Sequence, residues 1–292
     1  MAKGPIKRVT WKTLVEEEAP LLLPAAHDGL AAKLIERAGF KAYQVGGFAL
    51  AGARHGFPDI DLVHYGEQSA GVRDIISASS LPVMIDADDC YGDVKNVTRT
   101  IRGYENLGAS AIFFEDQVAP KRCGHMAGKE VIPAEEMASK VKAAVGARRS
   151  PDLFLVARTD AIAPLGLDEA LRRAELYINA GADGIFIEGP RSVEQLERIG
   201  KAFPAVPKIA NMLEGGGVTP ILSPKDLRAM GFAMVLYPTS LLFRITKTLE
   251  KALDDMLAQR LTFEGQGVSF DEFEQIVGLE EWKATEERYG KG

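Results

Sequence analysis

Cys123 stands in the run Lys121-Arg122-Cys123-Gly124-His125, a thiol between two basic residues and a histidine. A field of that sign favours the thiolate. It predicts a lowered thiol pKa, with Cys123 acting in proton delivery or nucleophilic attack. The run lies shortly after Ala111-Ile112-Phe113-Phe114-Glu115-Asp116, an apolar stretch that ends in two carboxylates. Pro120 and Gly124 mark the connecting chain as a loop. A solvated basic loop with an incidental cysteine carries the same local signature, so the reading turns on the residues elsewhere in the chain.

Carboxylates recur at the ends of other apolar runs. Asp86-Ala87-Asp88-Asp89, Glu115-Asp116, Arg158-Thr159-Asp160 and Glu188 each close one, Asn211 and Glu214 follow another, and Asp59 and Asp61 lie in the loop after Ala42–Val45. Gathered in one place, such groups repel each other and raise each other's pKa. A divalent cation relieves that cost, and an all-oxygen donor set favours Mg2+ or Mn2+ over Zn2+. Asp86 and Asp88 are two apart, so on a regular strand both face one way. Helix capping accounts for an Asp such as Asp89 or Asp116, but not for the whole set. Arg158 suits bidentate grip of a substrate carboxylate, and equally an ion pair with Glu115 or Glu188. His125 is read as a residue that positions Cys123 or shuttles protons, with an exposed loop histidine as the alternative. The Gly46-Gly47 amides could face a developing oxyanion or serve only a tight turn. Tyr43 is a candidate proton donor or acceptor, or a core aromatic.

These residues need a scaffold that brings distant strand ends together. Short apolar runs at Leu21–Pro24, Ala42–Val45, Pro82–Asp86, Ala111–Glu115, Phe154–Arg158, Gly184–Glu188, Lys208–Met212 and Met234–Tyr237 alternate with amphipathic stretches. The helical stretches are Asp28–Ala38, Gly66–Ala78, Val94–Leu107, Ala134–Val145, Leu167–Ala180, Val193–Phe203, Pro224–Met230 and Ser240–Leu257. Eight βα units predict a (β/α)8 barrel, whose chemistry collects at the C-terminal ends of the strands. Gly39, Gly108 and Gly181 fall where left-handed helix ends are expected. The barrel is assigned to 1–257 and a C-terminal helical extension to 258–292. Within the extension, Ser269 and Glu272 form a capping-box pattern opening a helix through Ile276. Its Phe270, Phe273, Ile276, Val277 and Trp282 predict packing on the barrel or on a neighbouring subunit.

The chain of 292 residues is 46% hydrophobic and 26% charged, ample for one large core. A net charge of −6 and a pI near 5.4 argue against nucleic acid as a partner. Two cysteines outside any CxxC pair fit a reducing cytoplasm. Met1–Lys12 has no apolar stretch behind its charges and does not read as a secretory signal. No apolar run reaches the roughly 20 residues a membrane span needs.

In order along the chain, Asp86-Ala87-Asp88 with Tyr91-Gly92, Phe114-Glu115-Asp116-Gln117, the Lys121–His125 run, Ala157-Arg158-Thr159-Asp160 and Glu188 resemble motifs of the isocitrate lyase/phosphoenolpyruvate mutase superfamily. Asn211-Met212-Leu213-Glu214-Gly215-Gly216 and Leu236-Tyr237-Pro238 continue the match. The resemblance spans Leu21 to Leu257. It implies a (β/α)8 barrel, bound Mg2+ (or Mn2+), α-keto or α-hydroxy acid substrates, and a homotetramer (a dimer of dimers) whose last barrel helix is exchanged between subunits. It implies Asp86 as direct metal ligand, with Asp59, Asp88 and Glu115 acting through water. It carries catalytic roles to Cys123, Tyr43, Arg158, His125 and Glu188. Substrate contacts fall on Gly46, Gly47, Lys121, Arg122, Gly124, His125, Arg158, Glu188 and Asn211. The cysteine loop resembles the lyase branches acting on 2-methylisocitrate or 2,3-dimethylmalate, in which this thiol protonates the enolate-like fragment left by carbon–carbon cleavage. Phosphoenolpyruvate mutases lack it.

Three positions depart from the pattern. Val45 replaces a Ser or Thr whose hydroxyl is expected near substrate, Asp89-Cys90 replaces a small pair, and Glu214-Gly215-Gly216 resembles the dimethylmalate lyase and oxaloacetate hydrolase branches. The implied activity is Mg-dependent retro-aldol cleavage of a branched 2-hydroxy di- or tricarboxylate. Oxaloacetate hydrolysis or decarboxylation, a carboxyphosphonoenolpyruvate mutase-like reaction, and a catalytically silent binding barrel are the alternatives.

Overall fold

The computed structural model describes residues 9–260 and 265–290. Residues 1–8 of the Met1–Lys12 segment, and residues 261–264 and 291–292 of the extension, lie outside the described residues. Eight strands, β1 (Leu21–Pro24), β2 (Tyr43–Val45), β3 (Val83–Asp86), β4 (Ala111–Glu115), β5 (Phe154–Thr159), β6 (Gly184–Ile187), β7 (Lys208–Asn211) and β8 (Met234–Tyr237), differ from the sequence expectation by at most one residue at either end. They form one parallel sheet in the order β1-β8-β7-β6-β5-β4-β3-β2. A bridge between Ala25 and Gln44 brings β1 to β2, and the Ala26 N–H donates to the Gln44 carbonyl at 2.9 Å. The result is the expected (β/α)8 barrel.

Helices lie between and beyond the strands: α1 (Trp11–Glu17), α2 (Gly29–Arg37), α3 (Gly47–His55), α4 (Tyr65–Ser77), α5 (Val94–Leu107), α6 (Ala134–Ala147), α7 (Ile162–Leu165), α8 (Leu167–Asn179), α9 (Val193–Lys201), α10 (Pro224–Met230), α11 (Ser240–Leu257), α12 (Phe270–Val277) and α13 (Leu279–Tyr289). Side-chain caps start several of them. Asp28, Asp93, Ser192 and Ser223 accept from backbone N–H groups of the first turn, satisfying donors the helix cannot satisfy itself. The expected capping box at Ser269 and Glu272 opens α12. Helices α1, α3 and α7 were not expected. Gly46-Gly47 reads as a turn, yet Gly47 is the first residue of α3.

The pleat sorts each strand into two faces. Leu21, Leu23, Met84, Ala111, Phe113, Phe154, Val156, Phe186, Ile209, Met234 and Leu236 fill the barrel interior, with Trp11, Leu14 and Val15 of α1 packed against them. The alternate residues, among them Tyr43, Val45, Ile85, Ile112, Phe114, Ala157 and Ile187, pack outward under the helices. Continuing the inward set along each strand reaches Gly46, Asp86, Glu115, Arg158, Glu188 and Asn211. Backbone geometry alone thus carries six side chains or amides of the expected site to one rim.

Candidate active site

The segment 118–129 folds as a lid over that rim. It is held to the barrel by the Cys123 N–H, which donates to the Asp59 carbonyl at 3.1 Å, and by the Lys121 N–H on Asp61 Oδ2 at 3.3 Å. Its shape is fixed by Gln117, whose side chain accepts from the Arg122 N–H at 2.9 Å and donates to the Arg122 carbonyl at 2.8 Å. Gly124 passes so close to the barrel that a Cβ there would lie 2.4 Å from Arg158 Nη2 and 2.6 Å from Glu188 Cγ. Beneath the lid, a cavity of about 50 Å³ is bordered by Cys123, Asp86, Arg158, Glu188, Asn211 and Phe186, among others. The lid segment borders this cavity through Cys123, Gly124 and His125.

The acidic side of the cavity joins Asp59, Asp86, Asp88, Glu115 and Asp160. Lys121 Nζ pairs with Asp59 and, at 2.5 Å, with Asp88. Arg158 pairs with Glu115 at 3.0 Å and forks onto Asp160 through Nε at 2.9 Å and Nη2 at 3.1 Å. Asp86 has no cationic partner. It accepts from the Gly47 N–H at 3.1 Å and the Asp88 N–H at 3.0 Å, and burial with the Asp88 charge pushes its carboxyl up to about 6. Burial raises Asp59, which Lys121 partly offsets. Glu115 is pushed well above the usual carboxylate range, by burial against the opposing pull of Arg158. A Cβ on Gly47 would meet Asp88 Oδ1 at 2.8 Å, so glycine is what permits this close approach of α3 to the acidic loop.

The donor chemistry of this cluster suits a hard divalent cation. Asp88 Oδ2 and Glu115 Oε1 are buried with no hydrogen-bond partner, and every donor is oxygen. As folded, however, no three acidic, His or Cys side chains converge as a metal-holding group among the described residues, because Lys121 stands between Asp59 and Asp88.

Across the cavity, Asn211 Nδ2 donates to Glu188 Oε2 at 2.8 Å, leaving its Oδ1 buried without a partner. His125 Nδ1 accepts from the Val218 N–H at 3.0 Å. Burial lowers the His125 pKa, and its Nε2 lies 3.3 Å from Asn211 Nδ2 and 3.4 Å from Glu188 Oε1.

Several sequence expectations need correction. The Cys123 thiol is pushed up to about 11, not down: burial dominates, and Asp59 and Glu188 add to it against the His125 N–H and Arg158. Its basic sequence neighbours do not supply the expected field, since Lys121 is engaged by carboxylates and Arg122 is exposed on the outer side of the lid. Arg122 therefore contributes only its backbone here. Tyr43 points outward into the helix-facing core with its hydroxyl unpartnered, and burial pushes it well above its ordinary pKa. The side chain of β2 that borders the cavity is Gln44. Val45 packs in the same outer layer as Tyr43, so its side chain leaves no gap in the cavity wall. Glu214 pairs with Arg244 of α11 at 2.9 Å, outside the acidic group. Asp116 faces outward, held by Thr159, the Asp160 N–H, Arg173 and Tyr177.

Lys129 was missed as a site residue, and Asp160 was counted among the strand-end carboxylates without a role. Burial pushes the Asp160 carboxyl up, but Arg158 and Lys129 outweigh it and hold it at about 2. Its two-residue spacing from Arg158 was the available signal for its role as the guanidinium's partner. Phe113 and Phe186, which border the cavity, were findable the same way, two residues before Glu115 and Glu188.

A family model described as phosphoenolpyruvate phosphomutase matches residues 11–257. A 2,3-dimethylmalate lyase of Eubacterium barkeri is 41% identical over 286 residues, covering 96% of this chain and 97% of the relative. A 2-methylisocitrate lyase of Halalkalibacterium halodurans is 38% identical over 279 residues, 91% of each chain. Among solved structures, an oxaloacetate acetylhydrolase in complex with the inhibitor 3,3-difluorooxalacetate matches with a TM-score of 0.90 at 27% identity, over 96% of both chains. A phosphonopyruvate hydrolase complex with oxalate and Mg++ matches with a TM-score of 0.86 at 29% identity, over 96% of this chain and 98% of that one. The chain belongs to the phosphoenolpyruvate mutase/isocitrate lyase superfamily.

Proposed function

We propose, proceeding from that membership, that this protein is a carbon–carbon lyase that cleaves a branched 2-hydroxy di- or tricarboxylate of the dimethylmalate or methylisocitrate type. The observation that carries this reading is a buried thiol, its pKa pushed up to about 11, bordering the same cavity as Arg158 and Asp86. A thiol whose pKa lies near 11 is an acid at neutral pH, suited to giving up a proton rather than to attacking as a nucleophile. Asp59, Asp86, Asp88 and Glu115 would hold Mg2+ (or Mn2+), for which Lys121 must withdraw. When bound, the ion supplies Lewis-acid polarisation of the substrate's hydroxyl and carboxylate oxygens.

The rest of the chemistry belongs to the chain. Arg158, oriented by Asp160, faces substrate carboxylate or developing carbonyl charge. The Gly46 N–H remains for the same purpose, while the Gly47 N–H is committed to Asp86. Asn211 Oδ1, buried and unpartnered, accepts from a substrate hydroxyl. Glu115, paired with Arg158 and with its Oε1 unpartnered, is kept for the metal, and the substrate hydroxyl gives its proton to a water in the cavity as the carbon–carbon bond breaks. Cys123 Sγ–H then protonates the enolate-like fragment, and the lid excludes water from it. Glu188 and His125 hold the lid's Cys123 flank and the β6–β7 wall in register.

The test is a Mg2+-dependent assay of candidate 2-hydroxy acids coupled to detection of released keto acid. Cys123→Ser should lower turnover by about 10²–10⁴-fold while metal binding, measured by calorimetry, persists. Near-native rates in that variant would remove the thiol from the mechanism. A second reading, hydrolysis of oxaloacetate, is supported by the structural likeness to oxaloacetate acetylhydrolase. Scoring products as glyoxylate or pyruvate against oxalate or carbon dioxide separates the two.

The quaternary proposal is a homotetramer with α11 exchanged between subunits. Among the α11 residues only Ser240 is buried, and its apolar stripe is open to solvent in the single chain.

A further inference from the structure

Lys129 has no role in the chemistry above, yet only 2% of its side chain is exposed. Its Nζ donates to Asp160 Oδ1 at 2.8 Å and to the Gly124 carbonyl. Asp160 is fully buried and is the same carboxylate that forks onto Arg158. One ammonium group therefore ties the peptide next to Cys123 to the end of β5 and, through Asp160, to the Arg158 guanidinium.

We propose that Lys129 is the latch of the lid: a positioning residue that closes the 118–129 segment and sets Cys123 over the cavity at the moment Arg158 is locked. The inference rests on the reading that Cys123 acts from the closed lid. Lys129 sits on the returning leg of the lid, and the Gly124 carbonyl on the leading one, so the ammonium draws the two legs together as well as down. In an opened lid it would be hydrated, and Asp160 would be left to Arg158 alone. Closure exchanges that hydration for a buried carboxylate and a carbonyl. Desolvation of the ammonium offsets most of the ion-pair gain, so the latch is reversible, as a lid that admits substrate requires. The Gln117–Arg122 clamp joins the lid to its own base and cannot do this. The Cys123 N–H contact with the Asp59 carbonyl is a single neutral hydrogen bond, weaker than a charge-assisted one, and the Lys121 ion pairs with Asp59 and Asp88 are the contacts given up when the acidic cluster takes its metal, which leaves Lys129 as the charged tether that persists.

The test uses the full-length protein with Mg2+ and the variants Lys129→Met, Lys129→Gln and Lys129→Arg, with the fold checked by circular dichroism. Amide hydrogen exchange in peptides covering 118–129 should rise about tenfold or more in whichever neutral variant folds, with β4 and β5 peptides unchanged, and Lys129→Arg should restore protection. Unaltered lid protection in the neutral variant overturns the proposal. In the lyase assay, the neutral variant should lose about a hundredfold in kcat, the scale of a misplaced reacting group. Combining it with Cys123→Ser should cost little beyond Cys123→Ser alone, because both act through one thiol. Additive losses would also overturn it. Should the native protein cleave none of the acids offered, the lyase reading fails, and the exchange experiment still judges the latch.

Discussion

Cys123 illustrates how far a local sequence field can differ from a folded one. Its neighbours Lys121 and Arg122 predict a thiolate, but folding spends Lys121 on Asp59 and Asp88 and turns Arg122 to solvent. Around the sulfur, burial with Asp59 and Glu188 outweighs the His125 N–H and Arg158 and pushes its pKa up to about 11. Modification by iodoacetamide follows the thiolate fraction. Labelling of Cys123 should therefore be slow at pH 7 and rise about tenfold per pH unit toward pH 11, read by mass spectrometry. A plateau near pH 8 would restore the lowered pKa. Cys90, fully buried and likewise raised by burial, should stay unlabelled. Gly124 is constrained by space rather than by charge. Gly124→Ala places a methyl 2.4 Å from Arg158 Nη2, and the lid must lift to relieve it. We expect a loss of about a hundredfold in kcat/KM with little change in Tm, measured by steady-state kinetics and calorimetry.

At the scale of the element, the two-residue period of a strand decides role. In β4 and its continuation, Glu115 faces the cavity while Asp116 faces the helices, where it ties the ends of β4 and β5 to Arg173 and Tyr177 of α8. Adjacent carboxylates thus serve different ends, one in the site and one in the scaffold. Asp116→Ala leaves Arg173 with Glu169 as its remaining carboxylate and strips Thr159 and Tyr177 of an acceptor, which should cost about 1–3 kcal/mol, seen as a lower urea midpoint with an unchanged m-value. An effect below about 1 kcal/mol would mean that the network is solvated. The same period separates Gln44 and Gly46 from Tyr43 and Val45, so the outward placement of Tyr43 was legible once β2 was aligned with Gly46. Helix α3 was not legible, because Gly46-Gly47 signals a turn and the eight helical residues that follow carry little polar punctuation.

At the scale of the molecule, the open feature is α11. Leu249, Leu253 and Leu257 are 56%, 59% and 85% exposed, at the i, i+4, i+8 spacing of a packing face. A stripe of that kind in the last helix of a barrel calls for another surface. Leu249→Glu combined with Leu253→Glu should reduce the mass found by light scattering from the assembled state to a smaller one while the barrel's circular dichroism persists. An unchanged mass would exclude α11 from the subunit interface. The extension behaves differently: α12 begins at its capping box as expected, yet Phe270 and Trp282 remain 78% and 70% exposed.

The amino-acid sequence by itself determined the eight strands, their order of chemistry-bearing ends and the family, because hydrophobic period, caps and motif spacing are local and repeat along the chain. It also determined that carboxylates from separate strands and the Cys123 loop would meet, since a closed barrel leaves them no other place. Only the tertiary structure decided which charges cancel. Lys121 between two aspartates, Lys129 beneath Gly124, the forked Arg158 and the raised Cys123 thiol all depend on through-space distances of a few ångströms between residues up to 62 apart in the chain. Electrostatic energy follows those distances and the burial around them, and neither is written in sequence order.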